Sequence, residues 1–142
     1  MNGVFTNPEG IALFNGAVWV SNNSTANGSG NVPARTIVGL TYSGGSLTVS
    51  ETFGNPSVPA SSPFVCPGGM YGTPAHLWVN DESYGETNPA CGASGDVASR
   101  VGGVFSFTPS QLTGQTTNIG QVLAFSNITG RPGFGGIFIE ND

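Results

Sequence analysis

The chain has 142 residues, 23 glycines, 10 prolines, three arginines and no lysine, and carries a net charge of −5. With no basic footprint to neutralise phosphates, nucleic acid is not an expected partner, and the same lack argues against docking on anionic membranes. A hydrophobic content of 37% keeps it out of the disordered class and is enough for one domain with a core.

No apolar run approaches the ~20 residues needed to cross a bilayer. Met1 is followed at once by Asn2-Gly3-Val4-Phe5, without the basic and long apolar stretches of a signal peptide. A surface of Ser, Thr, Asn and Gly in place of Lys and Glu points to an extracellular or periplasmic setting. The expectation is that an export signal has been removed or that the chain is a piece of something longer.

The first elements form a hairpin. Ile11 to Leu13 and Val18 to Val20 are short β-branched and aromatic runs, and Asn15-Gly16 between them suits a type I′ turn. A polar stretch over 22–35 follows. Two further strands, 36–42 and 46–53, flank the turn Ser43-Gly44-Gly45. After a link over 54–66 the pattern returns, with strands over 69–71, 76–80, 103–108 and 121–128. No window sustains a helical period, so the fold class is all-β. Thr108-Pro109-Ser110-Gln111-Leu112 has an N-cap followed by Pro and predicts one helical turn.

The two halves align as a repeat. Gly10-Ile11-Ala12-Leu13 falls over Gly69-Met70-Tyr71-Gly72, with Pro8 and Pro67 each two residues before the glycine. Trp19-Val20 falls over Trp78-Val79, and Arg35 over Arg100. Gly136-Ile137-Phe138-Ile139 begins a third copy. Four antiparallel strands per unit, spaced by 59 residues from Pro8 to Pro67, are the signature of a β-propeller blade with long loops. The expected domain is a single partial propeller, with blade 1 at 8–53, blade 2 at 67–128 and the start of blade 3 at 132–142. Missing blades or self-association would complete the ring. The two tryptophans are expected to pack between blades.

Pro-x-Gly-Ile-Ala-Leu, a turn glycine and Val-Trp-Val-Ser-Asn together resemble the NHL-type repeat of six-bladed propellers. That family's pattern has an Asp after the second strand, where Asn22 and Asp81 stand here, and an Arg before the third, as Arg35 does. Glu9-Gly10 is similar to the motif by which gluconolactonase-like propellers present a metal-ligating Glu on the axis. The resemblance thus implies an axial metal at Glu9, although Ile11 replaces the Pro usual there and Gly68 occupies the Glu9 place in the second unit.

Strand alternation puts the loops over 22–35 and 81–102 and the link over 54–66 on one face. Long loops on one face of a repeat scaffold are where binding usually sits. Asn22, Asn23, Tyr84 and Asp96 are the candidate binding residues there, for an unidentified ligand or protein. Asp81, Glu82 and Glu86 supply hard oxygen atoms suited to Ca²⁺, and a merely solvated acidic loop is the commoner reading. Cys66 and Cys91 fall on that same face and form a candidate disulfide worth roughly 3 kcal/mol on a chain-entropy basis; two unpaired thiols are the alternative. His76, the sole histidine, stands without a matched nucleophile and orienting acid, so a structural role is expected. The leading function is a non-catalytic binding or scaffold module. The rivals are a metal-dependent lactonase- or esterase-type propeller hydrolase and a purely structural repeat segment.

Overall fold

A computed structural model describes Phe5, residues 7–22, 36–54, Phe64, 67–81, 103–112 and the strand at 121–124. Among these residues the fold is all-β, in two four-stranded antiparallel sheets. The first sheet contains β1 (Pro8–Phe14), β2 (Ala17–Asn22), β3 (Thr36–Ser43) and β4 (Ser46–Phe53), each strand beside its neighbour in sequence. The second repeats the plan with β5 (Pro67–Gly72), β6 (Leu77–Asp81), β7 (Gly103–Phe107) and β8 (Gln121–Ala124).

Turn chemistry explains the hairpins. Asn15 and Gly16 take φ of 49° and 76°, so the β1–β2 connection has the two positive values of a type I′ turn. Gly44 and Gly45, at 59° and 83°, do the same between β3 and β4. The β5–β6 hairpin is closed differently: the Thr73 N–H donates to the His76 carbonyl at 2.8 Å, and the Thr73 hydroxyl accepts from the His76 N–H at 2.9 Å. The expected helical turn is a 3-10 turn over Pro109–Gln111. Its entry is fastened by the Thr108 N–H donating to Gln111 Oε1 at 2.8 Å.

The repeat holds at the level of register. In the first sheet Ile11 lies opposite Val20 and Val20 opposite Val38; in the second Met70 lies opposite Val79 and Val79 opposite Phe105. The first strand of each sheet also carries an extra residue, between Pro8 and Ile11 in β1 and between Pro67 and Met70 in β5. A β-bulge at the same place in both units is a detail that composition does not reveal.

The two sheets pack face to face around a shared core. Phe14, Trp19, Ile37 and Phe53 come from the first sheet, and Met70, Leu77, Val79, Phe105 and Phe107 from the second. Phe64 lies fully buried among them, edge-on to Phe53, Phe105 and Phe107 with ring centroids 5.2–5.9 Å apart. Such edge-to-face pairs add to the stabilisation from buried area. Trp19 is enclosed between the sheets, and its indole N–H donates to the Phe14 carbonyl at 3.3 Å. Trp78 is half-buried on the far side of β6.

Strands β1 and β5 run side by side in the same direction, at backbone contact. A methyl group added at Gly10 would collide with the Gly68 carbonyl, and one at Gly72 with the Leu13 carbonyl. Glycine is required there because another main chain occupies the space of a side chain.

Candidate functional site

Because β1 and β5 are parallel, the chain leaves both sheets toward the long connections at a common end. Pro8, Asn22 and Thr36 lie abreast at that end of the first sheet, and Pro67, Asp81 and Gly103 at that end of the second. The strand ends there are polar yet fully enclosed: Ser21, Asn22, Thr36, Asn80 and Asp81 are all buried. Buried polar groups are costly unless hydrogen-bonded, and Ser21 and Asn22 meet that demand through the backbone.

Two of these residues define the row. The Ser21 hydroxyl accepts from the Gly10 N–H at 2.7 Å and donates to the Gly68 carbonyl at 2.8 Å, joining the sheets across 47 residues of sequence. Asn22 Oδ1 accepts from the Asn7 N–H at 3.1 Å, which ties the entry of β1 to the exit of β2. Asn22, one of the candidate binding residues, is thus buried and uses its Oδ1 on the backbone.

Glu9 is exposed and lies inside the β1 bulge, at the same end. Bulges re-aim side chains and are frequent beside functional sites. Asp81 is buried as the last residue of β6. The two carboxylates share one end of the molecule but belong to different sheets. Among the described residues, no three His, Cys, Asp or Glu side chains gather in a metal-ligating group. Asn23, Glu82, Tyr84, Glu86, Asp96, Cys66 and Cys91 lie outside the described residues, and so does the third copy at 132–142.

His76 sits at the opposite end, in the β5–β6 turn, with its ring edge-on to Trp78 at 5.9 Å. It and Glu9 do not form one site. That opposite end also holds a cleft of about 210 Å³ between the sheets. Phe14, Trp19, Pro109 and Leu112 wall it, and Thr41, Ser50 and Glu51 supply its polar side. The Ser50 hydroxyl is committed to the Gly39 carbonyl at 3.1 Å, so it is not poised as a nucleophile. The sequence pattern placed the long loops on the other face and gave no sign of this cleft. Its one available signal was the Pro109–Gln111 turn, which brings Pro109 and Leu112 to its wall.

Comparison with family models, curated proteins and solved structures finds no match to the chain.

Proposed function

We propose that the two sheets are adjacent blades of an NHL-like β-propeller and that the chain is a non-catalytic binding or scaffold module of an extracytoplasmic protein. Its ligand engages the end that carries the β2–β3 and β6–β7 connections. One observation carries this reading: both connections spring from the same end, off strand termini at which Ser21, Asn22, Asn80 and Asp81 are buried. Rigid strands under long connections are how repeat scaffolds present binding surfaces. The blade reading is supported by the matched registers, the matched bulges and the parallel approach of β1 and β5.

The test is a binding screen against immobilised glycan and peptide panels, run on the unsubstituted chain and on two variants. One variant shortens residues 23–35 to a Gly-Ser linker; the other replaces the Asn15-Gly16 turn with Gly-Gly. A ligand lost in the first variant and kept in the second supports the reading. A ligand indifferent to the loop variant counts against it.

The hydrolase rival draws on one observation, the exposure of Glu9 within the β1 bulge. Divalent-metal-dependent turnover of a lactone panel, abolished by Glu9→Gln, would favour it over the binding module.

A further inference from the structure

The β1–β2 turn carries a reactive pair. Asn15 and Gly16 are both exposed, and a methyl group built at Gly16 would meet nothing within 4 Å beyond its chain neighbours. The Gly16 nitrogen is therefore shielded neither by a side chain of its own residue nor by the rest of the fold. A carboxamide followed by such a nitrogen can cyclise. The nitrogen attacks Asn15 Cγ, and the carboxamide nitrogen leaves as ammonia. A five-membered imide closes through Cγ, Cβ, Cα, the main-chain carbonyl carbon and the Gly16 nitrogen. One water then opens it. Cleavage of the bond to Cγ leaves aspartate; cleavage of the bond to the main-chain carbonyl carbon leaves isoaspartate. Carboxamide and water have become carboxylate and ammonium, with water the only co-reactant.

The turn decides when this happens. Ring closure requires Asn15 Cβ and the Gly16 nitrogen to be eclipsed about the Asn15 Cα–C bond. The φ values of 49° and 76° mark a type I′ turn. Such a turn sets ψ of its first central residue at about +30°, which leaves the two atoms roughly 150° apart about that bond. The closed hairpin thus holds the nucleophile on the far side of Cα from its target, and reaction requires the turn to open. What keeps it closed is visible. Phe14 pairs with Ala17 at its base, and the indole N–H of buried Trp19 donates to the Phe14 carbonyl at 3.3 Å. The main chain at Gly72 lies against the Leu13 carbonyl from the other sheet.

The two products differ in consequence. Aspartate preserves the main chain and adds a carboxylate to the cleft that Glu51 also lines. Isoaspartate inserts a methylene into the main chain of a two-residue loop, whose length and turn type fix the strand register. The pairing of Phe14 with Ala17 and Leu13 with Val18 depends on that register, and with it the bond from Trp19 to Phe14.

We propose that Asn15 is a self-modification site gated by the β1–β2 hairpin. It is protected while the turn is closed and deamidates when the turn opens, and the isoaspartyl product then keeps the turn from closing as before. The inference is independent of what the loop end binds.

Peptide mapping by mass spectrometry, on the full chain sampled over weeks in mildly alkaline buffer, tests it. The same chain unfolded in urea supplies the reference. Two other Asn-Gly pairs, Asn2-Gly3 and Asn27-Gly28, calibrate that reference, and in urea all three should convert at similar rates. In the folded chain Asn15 should convert at least roughly tenfold more slowly than in urea, as expected of a reaction that waits on local opening. Trp19→Phe keeps an aromatic ring, removes the donor to the Phe14 carbonyl, and should raise the folded-chain rate several-fold. Should that variant fail to fold by circular dichroism, urea below the unfolding transition replaces it and should raise the rate with its concentration. Conversion of folded Asn15 at the unfolded rate overturns the proposal, as does a folded-chain rate indifferent to these loosening steps. An Asn15 that stays intact in urea while Asn2 and Asn27 convert overturns it too. The consequence is read in a chain carrying Asn2→Gln and Asn27→Gln. Its isoaspartyl form, separated by chromatography and returned to native buffer, should melt below Asn15→Asp in the same background. Equal melting overturns the claim that the modified turn no longer closes.

Discussion

The hydroxyl of Ser21 donates to the carbonyl of Gly68 at 2.8 Å, and this single bond links the second strand of one sheet to the first strand of the other. The same oxygen accepts from the Gly10 N–H at 2.7 Å. The Gly10 and Gly68 groups belong to the bulged segments of β1 and β5, where the regular ladders skip a residue. Ser21 thus satisfies main-chain groups that the bulges leave over. Removing the hydroxyl strands a buried donor and a buried acceptor together, each costing about 1–3 kcal/mol. Ser21→Ala should therefore lower the melting temperature by roughly 5–15 °C for a chain of this size. Ser21→Thr retains the hydroxyl and should lose less. Equal losses in the two variants would show that packing, and not the bridge, makes position 21 sensitive.

Gly10, Gly72 and Gly16 separate two reasons for glycine. At Gly10 and Gly72 the backbone of the opposing sheet fills the space, whereas around Gly16 the space is open and only its φ of 76° is unusual. Gly16→Ala should cost about 1 kcal/mol through backbone strain alone. Gly10→Ala and Gly72→Ala force main chains apart and should cost about 1–3 kcal/mol or more, as overpacking does. Urea melts of the three variants give the order. A Gly16→Ala loss as large as the other two would mean that β1 and β5 are not in backbone contact.

The strands themselves were legible because their signals are local. Asn15-Gly16 and Gly44-Gly45 fix the turns, and the Pro-to-Trp spacing recurs in both halves, so all eight strands fall close to where the pattern puts them. Features set by neighbours were not legible. The bulges depend on what β1 and β5 meet side by side, and a polar run beginning at Asn22 looks the same whether its first side chain caps a backbone or faces solvent. Phe5 and Phe64 each lie outside the strands, where periodicity says nothing. Their shared distance from a proline was the clue, and it gains meaning only once the two sheets are superimposed in register. The cleft beside Glu51 arises from two sheets meeting, which no single stretch encodes.

Cys66 lies immediately before β5, and Cys91 lies within the connection between β6 and β7. A bond between them would close that connection onto the strand whose Gly68 carbonyl holds Ser21. Peptide mapping without reductant should yield the Cys66–Cys91 pair, and reduction should lower stability by roughly 3 kcal/mol. Two thiols titrating freely in the folded, unreduced protein would refute the pairing.

Phe64 offers the most direct measure of how the two sheets hold together. It belongs to neither sheet, yet it is fully buried and touches Phe53 on one side and Phe105 and Phe107 on the other. Phe53 also meets Phe107 directly, at 4.9 Å. Truncating such a ring to alanine costs about 3–5 kcal/mol, a large part of the roughly 5–15 kcal/mol that holds a domain folded. Phe64→Ala should therefore leave a protein on the edge of unfolding at room temperature. Phe64→Leu fills most of the volume and should fold with a lowered melting temperature. Phe5 occupies the matching position but is only half-buried, with no counterpart of Phe53 among the described residues packed on it. Phe5→Ala should cost about 1 kcal/mol in the isolated chain, in proportion to the smaller apolar area withdrawn from water. Chemical denaturation of the three variants measures these losses, and a Phe5→Ala loss as large as that of Phe64→Ala would mean that the two phenylalanines are equally enclosed.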